Sequence, residues 1–590
     1  MKDFKLRVYA WSDQIIHVIN ISFTIVGLVA VVSLVTQYGF YISPITEHWL
    51  ERIDILIVFY FVLQFLLKLA VVPTRAEYIR RHWFEALLVL LIIVRTGLLI
   101  HSLGVGTIRE YFLDINISAI TKVTIVSAQL VLVLSLISSS LKLNRKIASL
   151  KFHPAQTLLL SFLVVIVIGT LLLLLPKATA PGKSLNVLDA LFTATSATCV
   201  TGLIVVDTGT HFSLMGQLII LTLLQIGGLG LMTLSSFLAL FFGRGMGIKE
   251  RVMLQEMMNI DRLGAITRAL RLAVTITFLF ESVGAVLLFF SWNRPGWSFF
   301  DRVYHSVFHA VSAFCNAGFS LNSDSLMSYQ SNYPVILIVS LLIIFGGLGF
   351  LVITELAGIN VVKTPNHNTL RKLSVQTKLV LVMTAILLVF GTVLVLSLQS
   401  LEGSWFHRLA NAFFSSVTAR TAGFNTVDFS LFSTPLALVI VLLMFIGASP
   451  GSTGGGIKTT TVGILIASLT SIITGKNRIV MFKKSVSYTV MNRALVIFAF
   501  AILVTGTSVF LLSITEHAPL IDIIFEEISA YGTVGLSRGL TPHLSSWGRI
   551  VIILSMFIGR VGALTLAFAI TPPKDKQRVE YPQEKSVMVG

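Results

Sequence analysis

The chain has 590 residues, of which 55% are hydrophobic and only 12% are charged, and its mean hydropathy is +0.88. This composition excludes an ordinary soluble globule, and apolar runs long enough to cross a bilayer predict a polytopic membrane protein. The formal net charge is +17, but the cations cluster in short loops between the apolar runs. We therefore interpret them as topogenic charge and expect a lipid bilayer, not nucleic acid, as the partner.

Four spans are predicted before residue 150. They cover about 15–36, 53–72, 84–101 and 123–141. The basic segment 75–81 lies in the single cytoplasmic loop between these spans, so both termini are expected in the cytoplasm. The spans are faintly similar to the front half of a voltage-sensor domain, but the fourth has no arginine ladder to carry gating charge. We interpret residues 1–150 as a sensor-like module for packing or partner docking.

From Pro154 onward, one order of segments recurs four times: a long apolar helix, an apolar segment too short to span, a loop ending in Gly, and a second long helix. The short segments are predicted at about 188–198, 303–314, 405–419 and 520–531. The second long helices are predicted at about 214–242, 333–357, 435–473 and 547–570. The corresponding repeats are 151–265, 266–372, 373–490 and 491–575, and they precede a cytosolic tail at 576–590.

The loops end at Gly202, Gly318, Gly423 and Gly535, roughly 110 residues apart. A segment that enters the membrane and turns back is tolerated only where its backbone is buried in protein or lines a watery cavity. A single Gly after a helix is also typical of a C-terminal cap, but four equivalent copies favour a shared role. We therefore predict an all-α polytopic membrane protein in which four tandem membrane helix–pore loop–membrane helix repeats surround one pseudo-fourfold pore.

Backbone carbonyls are the chemistry that such loops offer. Consecutive carbonyl oxygens from four loops can replace the hydration shell of a monovalent cation, and the C-terminal ends of helices add negative potential. Glycine permits the backbone angles that place carbonyls on one face. The chain's two cysteines, Cys199 and Cys315, occupy the third position before the Gly, which fits a small side chain better than a disulfide.

The four loops, with the segments at 447–461 and 556–566, resemble the membrane subunit of potassium uptake systems of the Trk/Ktr/HKT superfamily, and most of all its KtrB branch. The resemblance covers about 150–575. It implies potassium uptake across the cell (inner) membrane, with sodium either co-transported or acting as an activator. It also implies a homodimer and a cytosolic nucleotide-binding regulatory ring of the KtrA/TrkA type, through which any nucleotide acts.

The same resemblance assigns the backbone around the four glycines to a selectivity filter, which is the only metal-ion site expected. The assigned residues are Thr198, Cys199, Val200, Thr201 and Gly202, then Cys315, Asn316, Ala317 and Gly318, then Thr421, Ala422 and Gly423, and finally Thr533, Val534 and Gly535. None of these loops has the full Thr-Val-Gly-Tyr-Gly sequence of potassium channels. We therefore expect looser selectivity.

The predicted helix at 435–473 must open in its middle, because Pro450 and four glycines lie within 448–456. The resemblance makes 447–459 an intramembrane gate below the filter. Its assigned residues are Pro450, Gly451, Ser452, Thr453, Gly454, Gly455, Gly456 and Lys458, together with Arg560. A phosphate-binding loop is disfavoured, because Ile457 interrupts the pattern and an apolar span, not a strand, precedes it.

Arg560 lies inside the last predicted span, where an unpaired cation is costly. It is either satisfied by carbonyls of a neighbouring helix or forms a positive barrier near the gate, and we favour the barrier. Asp207, Asp324 and Asp428 follow three filter glycines, and Arg538 follows the fourth. The three carboxylates either concentrate cations at an outer mouth or are ordinary loop charges.

A polytopic membrane enzyme is the main alternative from another class. The sequence has no HExxH pair and no metal-spaced Cys/His set. His305 and His309 share a helical face, and we interpret them as core or mouth residues rather than metal ligands. A secondary transporter with inverted repeats is disfavoured because the units repeat in one orientation, while a less selective Na⁺/K⁺ pathway remains open.

Overall fold

The computed structural model describes residues 2–104, 154–230, 263–358 and 373–566, apart from 73–74, 82, 293, 400–401, 477 and 563–564. Over these residues the chain is mostly helical. Its two short strands, Ile479–Met481 (β1) and Lys484–Val486 (β2), form one antiparallel hairpin. Six described helices are long and apolar enough to cross a membrane. These features confirm the predicted class of an all-α polytopic membrane protein.

The N-terminal region begins with four described helices. They are Lys2–Gly39 (α1), Pro44–Val71 (α2), Arg75–Arg81 (α3) and Trp83–Gly104 (α4). A buried cluster that includes Phe23 and Phe61 joins α1 to α2, and the hydroxyl of Ser33 donates to the carboxylate of Asp54 at 2.6 Å. The first three predicted spans are therefore helical, and the fourth, at 123–141, lies outside the described residues.

Four units with the same order of helices follow. The first contains Pro154–Leu173 (α5), Val187–Cys199 (α6), Thr208–His211 (α7) and Leu214–Leu229 (α8). The second contains Leu263–Ser291 (α9), Phe299–Phe314 (α10), Tyr333–Leu348 (α11) and Phe350–Leu356 (α12). The third contains Val375–Leu398 (α13), Trp405–Thr418 (α14), Thr434–Phe445 (α15) and Thr459–Ile473 (α16), and the fourth contains Tyr488–Thr515 (α17), Leu520–Gly532 (α18) and Ser546–Val561 (α19). We call α6, α10, α14 and α18 the short helices, and α8, α11, α15 and α19 the inner helices.

Serine residues start several of these helices, because a hydroxyl can accept a backbone N–H that the first turn leaves free. Ser213, Ser404 and Ser545 do this for α8, α14 and α19. Ser298 and Asp301 form a reciprocal capping box at the start of α10. The hydrogen bonds from Ser298 also hold the pKa of Asp301 below its usual value. Local capping thus fixes where the short and inner helices begin.

The four units form a closed ring. Within each unit, the first long helix packs against the short helix. Between units, each inner helix packs against the short helix of the next unit, so that α8 contacts α10, α11 contacts α14, α15 contacts α18, and α19 contacts α6. The last contact joins the fourth unit to the first. This arrangement agrees with the pseudo-fourfold symmetry that the repeats predict.

A phenylalanine packs each short helix into the ring, at the same distance before each loop glycine. Phe192, Phe308 and Phe525 are fully buried, and Phe413 is partly buried. They belong to four hydrophobic clusters, one at each junction between neighbouring units. Since lipid tails are themselves apolar, close van der Waals packing holds such junctions together in a membrane.

Each inner helix stops before it could cross a bilayer. Helices α8, α11 and α19 have 16 residues and α15 has 12, whereas a span needs about 20. Gly230, Gly349 and Gly562 follow three of them with φ of 78°, 94° and 89°. After Gly349 the chain continues into α12 at an angle of 102°. The predicted continuous helix at 333–357 is therefore wrong, because a positive φ ends an α-helix.

Candidate functional site

Each short helix leads into the same unusual backbone turn. Val200, Asn316, Thr421 and Thr533 lie two residues before the loop glycines and have φ of 58°, 58°, 67° and 51°. The left-handed conformation is costly for residues with a Cβ, above all β-branched ones, so it persists only where the surroundings enforce it. The loop glycines themselves have φ between 71° and 92°. The four loops therefore share one conformation.

The four loop glycines meet in a closed cycle, which we call the glycine ring. Its members are Gly202, Gly318, Gly423 and Gly535. A Cβ on Gly318 would lie 2.7 Å from the carbonyl oxygen of Ala422 and 2.9 Å from the Cα of Gly423. The same relation joins Gly202 to Ala317, Gly423 to Val534, and Gly535 to Thr201. Each loop thus brings its glycine against a backbone carbonyl of the next loop, with no room for a side chain.

Hydroxyl groups tie the loops to the short helices. Ser196 and Ser529 each accept a hydrogen bond from the N–H of their own loop glycine, at 3.1 Å. Ser312 and Thr418 instead donate to the carbonyl that follows their loop glycine, at 2.7 and 2.5 Å. These bonds hold the loop backbone in a fixed position relative to the helix end.

Three predicted filter residues lie at the helix ends rather than in the ring. Thr198 and Cys199 belong to the last turn of α6, and Cys315 directly follows α10. Both cysteines are free and buried, and the thiol of Cys315 packs against Gly228 of α8. They contribute to the packing behind the loops, whereas the ring itself is made by the glycines and the residues just before them.

Residues 446–458 connect α15 to α16 without helix, as the sequence predicts, and we call this segment the inner loop. It contacts the Gly-containing loops directly. The hydroxyl of Thr453 donates to a carbonyl at the end of α10 at 3.1 Å, and the N–H of Gly455 donates to the hydroxyl of Thr533 at 3.0 Å. Gly454 packs against a threonine hydroxyl of the third unit's loop. The inner loop therefore lies next to the glycine ring.

The inner loop also pairs with backbone groups that the broken inner helices leave free. The N–H groups of Ser449 and Thr453 donate to the last carbonyls of α11, at Gly347 (3.0 Å) and Gly346 (3.2 Å). The first N–H of α12 donates to the carbonyl of Gly451 at 3.0 Å. The break in α11 is thus satisfied by the inner loop instead of by water.

The remaining residues that the sequence analysis assigned to a gate form tight turns within this loop. Gly451 and Gly456 have φ of 70° and 65°, which favours glycine at both positions. Ser452 donates to a carbonyl three residues earlier at 2.6 Å. The carbonyl of Pro450 lies beside Gly349, at the bend between α11 and α12. The turns therefore fit the loop against the second unit.

Arg560 joins the inner loop to the ends of two inner helices. From the last turn of α19, its guanidinium donates to the carbonyl of Thr453 in the inner loop and to that of Gly227 near the end of α8. Lys458 stays within the loop, and its ammonium donates to the carbonyls of two loop glycines at 2.7 and 3.3 Å. The two interpretations of Arg560 are therefore compatible, because one of the carbonyls that satisfy it belongs to the inner loop.

The three acidic residues after the loops each cap a local turn. Asp207, Asp324 and Asp428 accept a backbone N–H from two to four residues later, at 2.7, 2.8 and 2.9 Å. Arg538 pairs with Asp522 at 2.6 Å and donates to two carbonyls of the third unit. All three carboxylates remain at least partly exposed. Capping accounts for their placement and leaves their charge accessible to solvent.

Sequence reasoning missed two features of this site. The left-handed residues gave no signal, because threonine and valine have low intrinsic preference for that conformation. The ends of α8 and α11 did have a sequence signal, because Gly-Gly-Leu-Gly occurs at 227–230 and again at 346–349, where the chain bends. In both copies the last glycine takes the positive φ that ends the helix.

Comparison with known proteins identifies related chains. A family model described as TrkH, cation transport protein, matches residues 124–579. Ktr system potassium uptake protein B from Bacillus subtilis is 39% identical over 450 residues, covering 75% of this chain and 98% of that protein. Potassium/sodium uptake protein NtpJ from Enterococcus hirae is 37% identical over 451 residues, with coverage of 75% and 98%.

The fold has a counterpart among solved structures. The crystal structure of the potassium transporter TrkH from Vibrio parahaemolyticus matches with a TM-score of 0.56 at 20% identity, covering 70% of this chain and 84% of that one. The family resemblance inferred from the loops is confirmed, and the family is one of transporters rather than enzymes. The chain belongs to the TrkH family of cation transport proteins.

Proposed function

We propose that this chain mediates potassium uptake across the cell membrane through a selectivity filter formed by the four loops. The proposed ion ligands are the backbone carbonyls of residues 200–202, 316–318, 421–423 and 533–535, and the filter residues Thr198, Cys199 and Cys315 support them from the helix ends. The observation that carries the proposal is the closed glycine ring, in which each glycine contacts a backbone carbonyl of the next loop. Carbonyl oxygens on all sides are the ligands that a dehydrated K⁺ requires. The names of the relatives from Bacillus subtilis and Enterococcus hirae support potassium as the ion.

The inner loop is the gate in this proposal. It forms hydrogen bonds with the loop regions of the second and fourth units and with the end of α11. Arg560 links it to the end of α8 as well. A segment so placed obstructs an axial path, and an ion can pass only after some of these bonds break. The guanidinium of Arg560 adds positive charge beside the same path, which raises the barrier for cations.

Regulation and assembly follow the family expectation. We propose a homodimer in the cell membrane with both termini cytoplasmic, and a cytosolic nucleotide-binding ring that acts on the gate. The basic loops support the orientation, and the relative named as protein B of a Ktr system supports a system with more than one component. Co-purification of the full chain with such a ring protein, and loss of the complex on nucleotide exchange, would test this step.

A less selective Na⁺/K⁺ pathway is the second candidate. It is favoured by the absence of the full potassium-channel sequence in the loops and by the name of the Enterococcus hirae relative. Sodium acts either as a co-transported ion or as an activator in the leading proposal. The two roles differ in whether sodium enters with each potassium ion.

Rubidium uptake into proteoliposomes that contain only this chain tests the proposed function. We expect K⁺ to compete with Rb⁺ and Na⁺ to compete poorly. Equal competition by Na⁺ would favour the second candidate, and the absence of cation-selective uptake would contradict both. Measuring ²²Na⁺ entry in parallel separates co-transport, which requires it, from activation, which does not.

Neutralising the three acidic residues tests the proposed outer mouth. We expect the triple variant Asp207→Asn, Asp324→Asn, Asp428→Asn to lower Rb⁺ uptake about two- to threefold at low ionic strength, with little effect at high salt. Asparagine can replace aspartate as a cap, so the turns are retained. Glu47→Gln, which removes a carboxylate from the first turn of α2, is the matched control. Equal uptake by the triple variant and this control at low salt would assign the aspartates to capping alone.

A further inference from the structure

Two diagonally opposite units share a side-chain brace behind the loop. In the second unit, Nε2 of His309 lies 3.1 Å from the hydroxyl of Ser320. In the fourth unit, the hydroxyl of Ser537 donates to Oε2 of Glu526 at 3.0 Å. In both pairs, the first residue lies nine positions before the loop glycine and the second lies two positions after it. Each pair therefore links a short helix to the outgoing limb of its own loop.

The two serines are held in the same way. The hydroxyl of Ser320 accepts the N–H of Asn322 at 3.0 Å, and that of Ser537 accepts the N–H of Gly539 at 2.9 Å. A serine that accepts from the backbone two residues later fixes a tight turn. The hydroxyl proton of Ser537 is then available for Glu526, whereas that of Ser320 is shared between Nε2 of His309 and the carbonyl of Ser325, which lies 3.2 Å from the Ser320 hydroxyl oxygen. The equivalence thus extends from the side-chain pair to the backbone around it.

The direction of the hydrogen bond is also shared. Nδ1 of His309 lies 2.8 Å from the carbonyl of His305, so Nδ1 carries the proton and Nε2 accepts from Ser320. The other carboxylate oxygen of Glu526 accepts from Thr541. Both His309 and Glu526 are fully buried. A buried acceptor thus faces a serine hydroxyl in each brace, and in the second unit the carbonyl of Ser325 shares the proton of Ser320.

The other diagonal has no such brace. The equivalent positions are Thr193 with Ile204 in the first unit and Phe414 with Asn425 in the third. Neither Ile204 nor Phe414 has a polar side-chain atom, and the buried hydroxyl of Thr193 has no hydrogen-bond partner among the described residues. In these units, packing alone positions the side chain behind the loop.

We propose that His309 and Glu526 are positioning residues that set ion selectivity along one diagonal of the filter, by holding the outgoing limbs of the second and fourth loops through Ser320 and Ser537. This inference rests on the proposed filter. Gly318 and Gly535 lie four and three residues after the ends of their short helices and precede the braced serines by two residues, so a shift of the serine moves the glycine and its carbonyl. Loss of a brace widens the ring on that diagonal and weakens discrimination between K⁺ and Na⁺ without removing the pathway.

Removing the serine hydroxyls tests the inference with the smallest change of side chain. We expect Ser320→Ala and Ser537→Ala each to lower the Rb⁺/Na⁺ flux ratio about fivefold in proteoliposomes, as loss of one buried hydrogen bond would. The double variant should lower it by roughly the product of the two effects, since the sites are on opposite units. Ser320→Thr and Ser537→Thr retain the hydroxyl and should preserve the ratio. Thr193→Val, which removes a hydroxyl without a partner from the same register, is the matched control.

The outcomes separate this inference from the proposed function. An unchanged Rb⁺/Na⁺ flux ratio in the Ser320→Ala, Ser537→Ala double variant, with a lowered ratio in Gly318→Ser, would contradict the proposed role of the braces but not the proposed filter. An equal fall in Rb⁺ and Na⁺ flux would also overturn them, because it indicates a structural role only. If Gly318→Ser also leaves the ratio unchanged, the filter proposal itself fails. Should an alanine variant fail to fold, Ser→Cys at the same position supplies a weaker donor for the same comparison.

Discussion

Gly318→Ser is expected to lower the Rb⁺/Na⁺ flux ratio about tenfold or more, and to increase Na⁺ entry relative to the unmodified chain. Gly318 has a φ of 71°, where an L side chain is strained. The new Cβ would also lie only 2.7 Å from the carbonyl oxygen of Ala422, so the third loop must move. Rubidium and sodium uptake into proteoliposomes measures both changes.

A second glycine with a similar φ distinguishes the effect of backbone strain from that of the steric clash with Ala422. Gly182 has a φ of 77°, and a Cβ there would meet nothing within 4 Å. Gly182→Ser therefore carries similar local strain but leaves the glycine ring intact, and its flux ratio should equal that of the unmodified chain. If both variants behave alike, the second loop does not control selectivity.

Arg560→Gln is expected to raise Rb⁺ uptake about tenfold while leaving the Rb⁺/Na⁺ ratio unchanged. The guanidinium holds the inner loop to α8 through the carbonyls of Thr453 and Gly227. Glutamine removes the positive charge and cannot reach both carbonyls, so closed conformations lose stability relative to open ones. An increase in flux without a change in selectivity is the signature of a gate rather than a filter.

Lys476→Gln provides the control for charge. Lys476 is exposed and lies after α16, away from the inner loop, so its loss should not change uptake. Unchanged or reduced Rb⁺ uptake in folded Arg560→Gln protein would show that the arginine supports the structure instead of restraining the gate. Thermal unfolding of both variants checks that the comparison is made on folded protein.

The sequence predicts the elements of the fold well where apolar length decides the outcome. The short helices match the predicted segments closely, because ten to sixteen apolar residues followed by Gly cannot span a bilayer. The interruption between Phe445 and Thr459 was also predicted, because Pro450 and its neighbouring glycines cannot continue a helix. The N-terminal spans follow the same rule as far as the structure describes them.

Two aspects depended on tertiary structure. The bend at Gly349 lies in a continuous apolar run, and the inner loop stabilises it by accepting and donating the backbone hydrogen bonds that the break exposes. The left-handed Val200 and Thr533 are enforced by their hydrogen-bonded surroundings and contradict local preference. The repeats predict a ring of loops, but only the structure shows which backbone carbonyl contacts which glycine.

Anomalous scattering from crystals of the full chain grown in Rb⁺ tests the central claim most directly. The account predicts rubidium peaks on the axis enclosed by Gly202, Gly318, Gly423 and Gly535, with backbone carbonyls of all four loops as ligands. These peaks should weaken when K⁺ replaces Rb⁺. Rubidium bound elsewhere in the membrane region, with the glycine ring empty, would contradict the account.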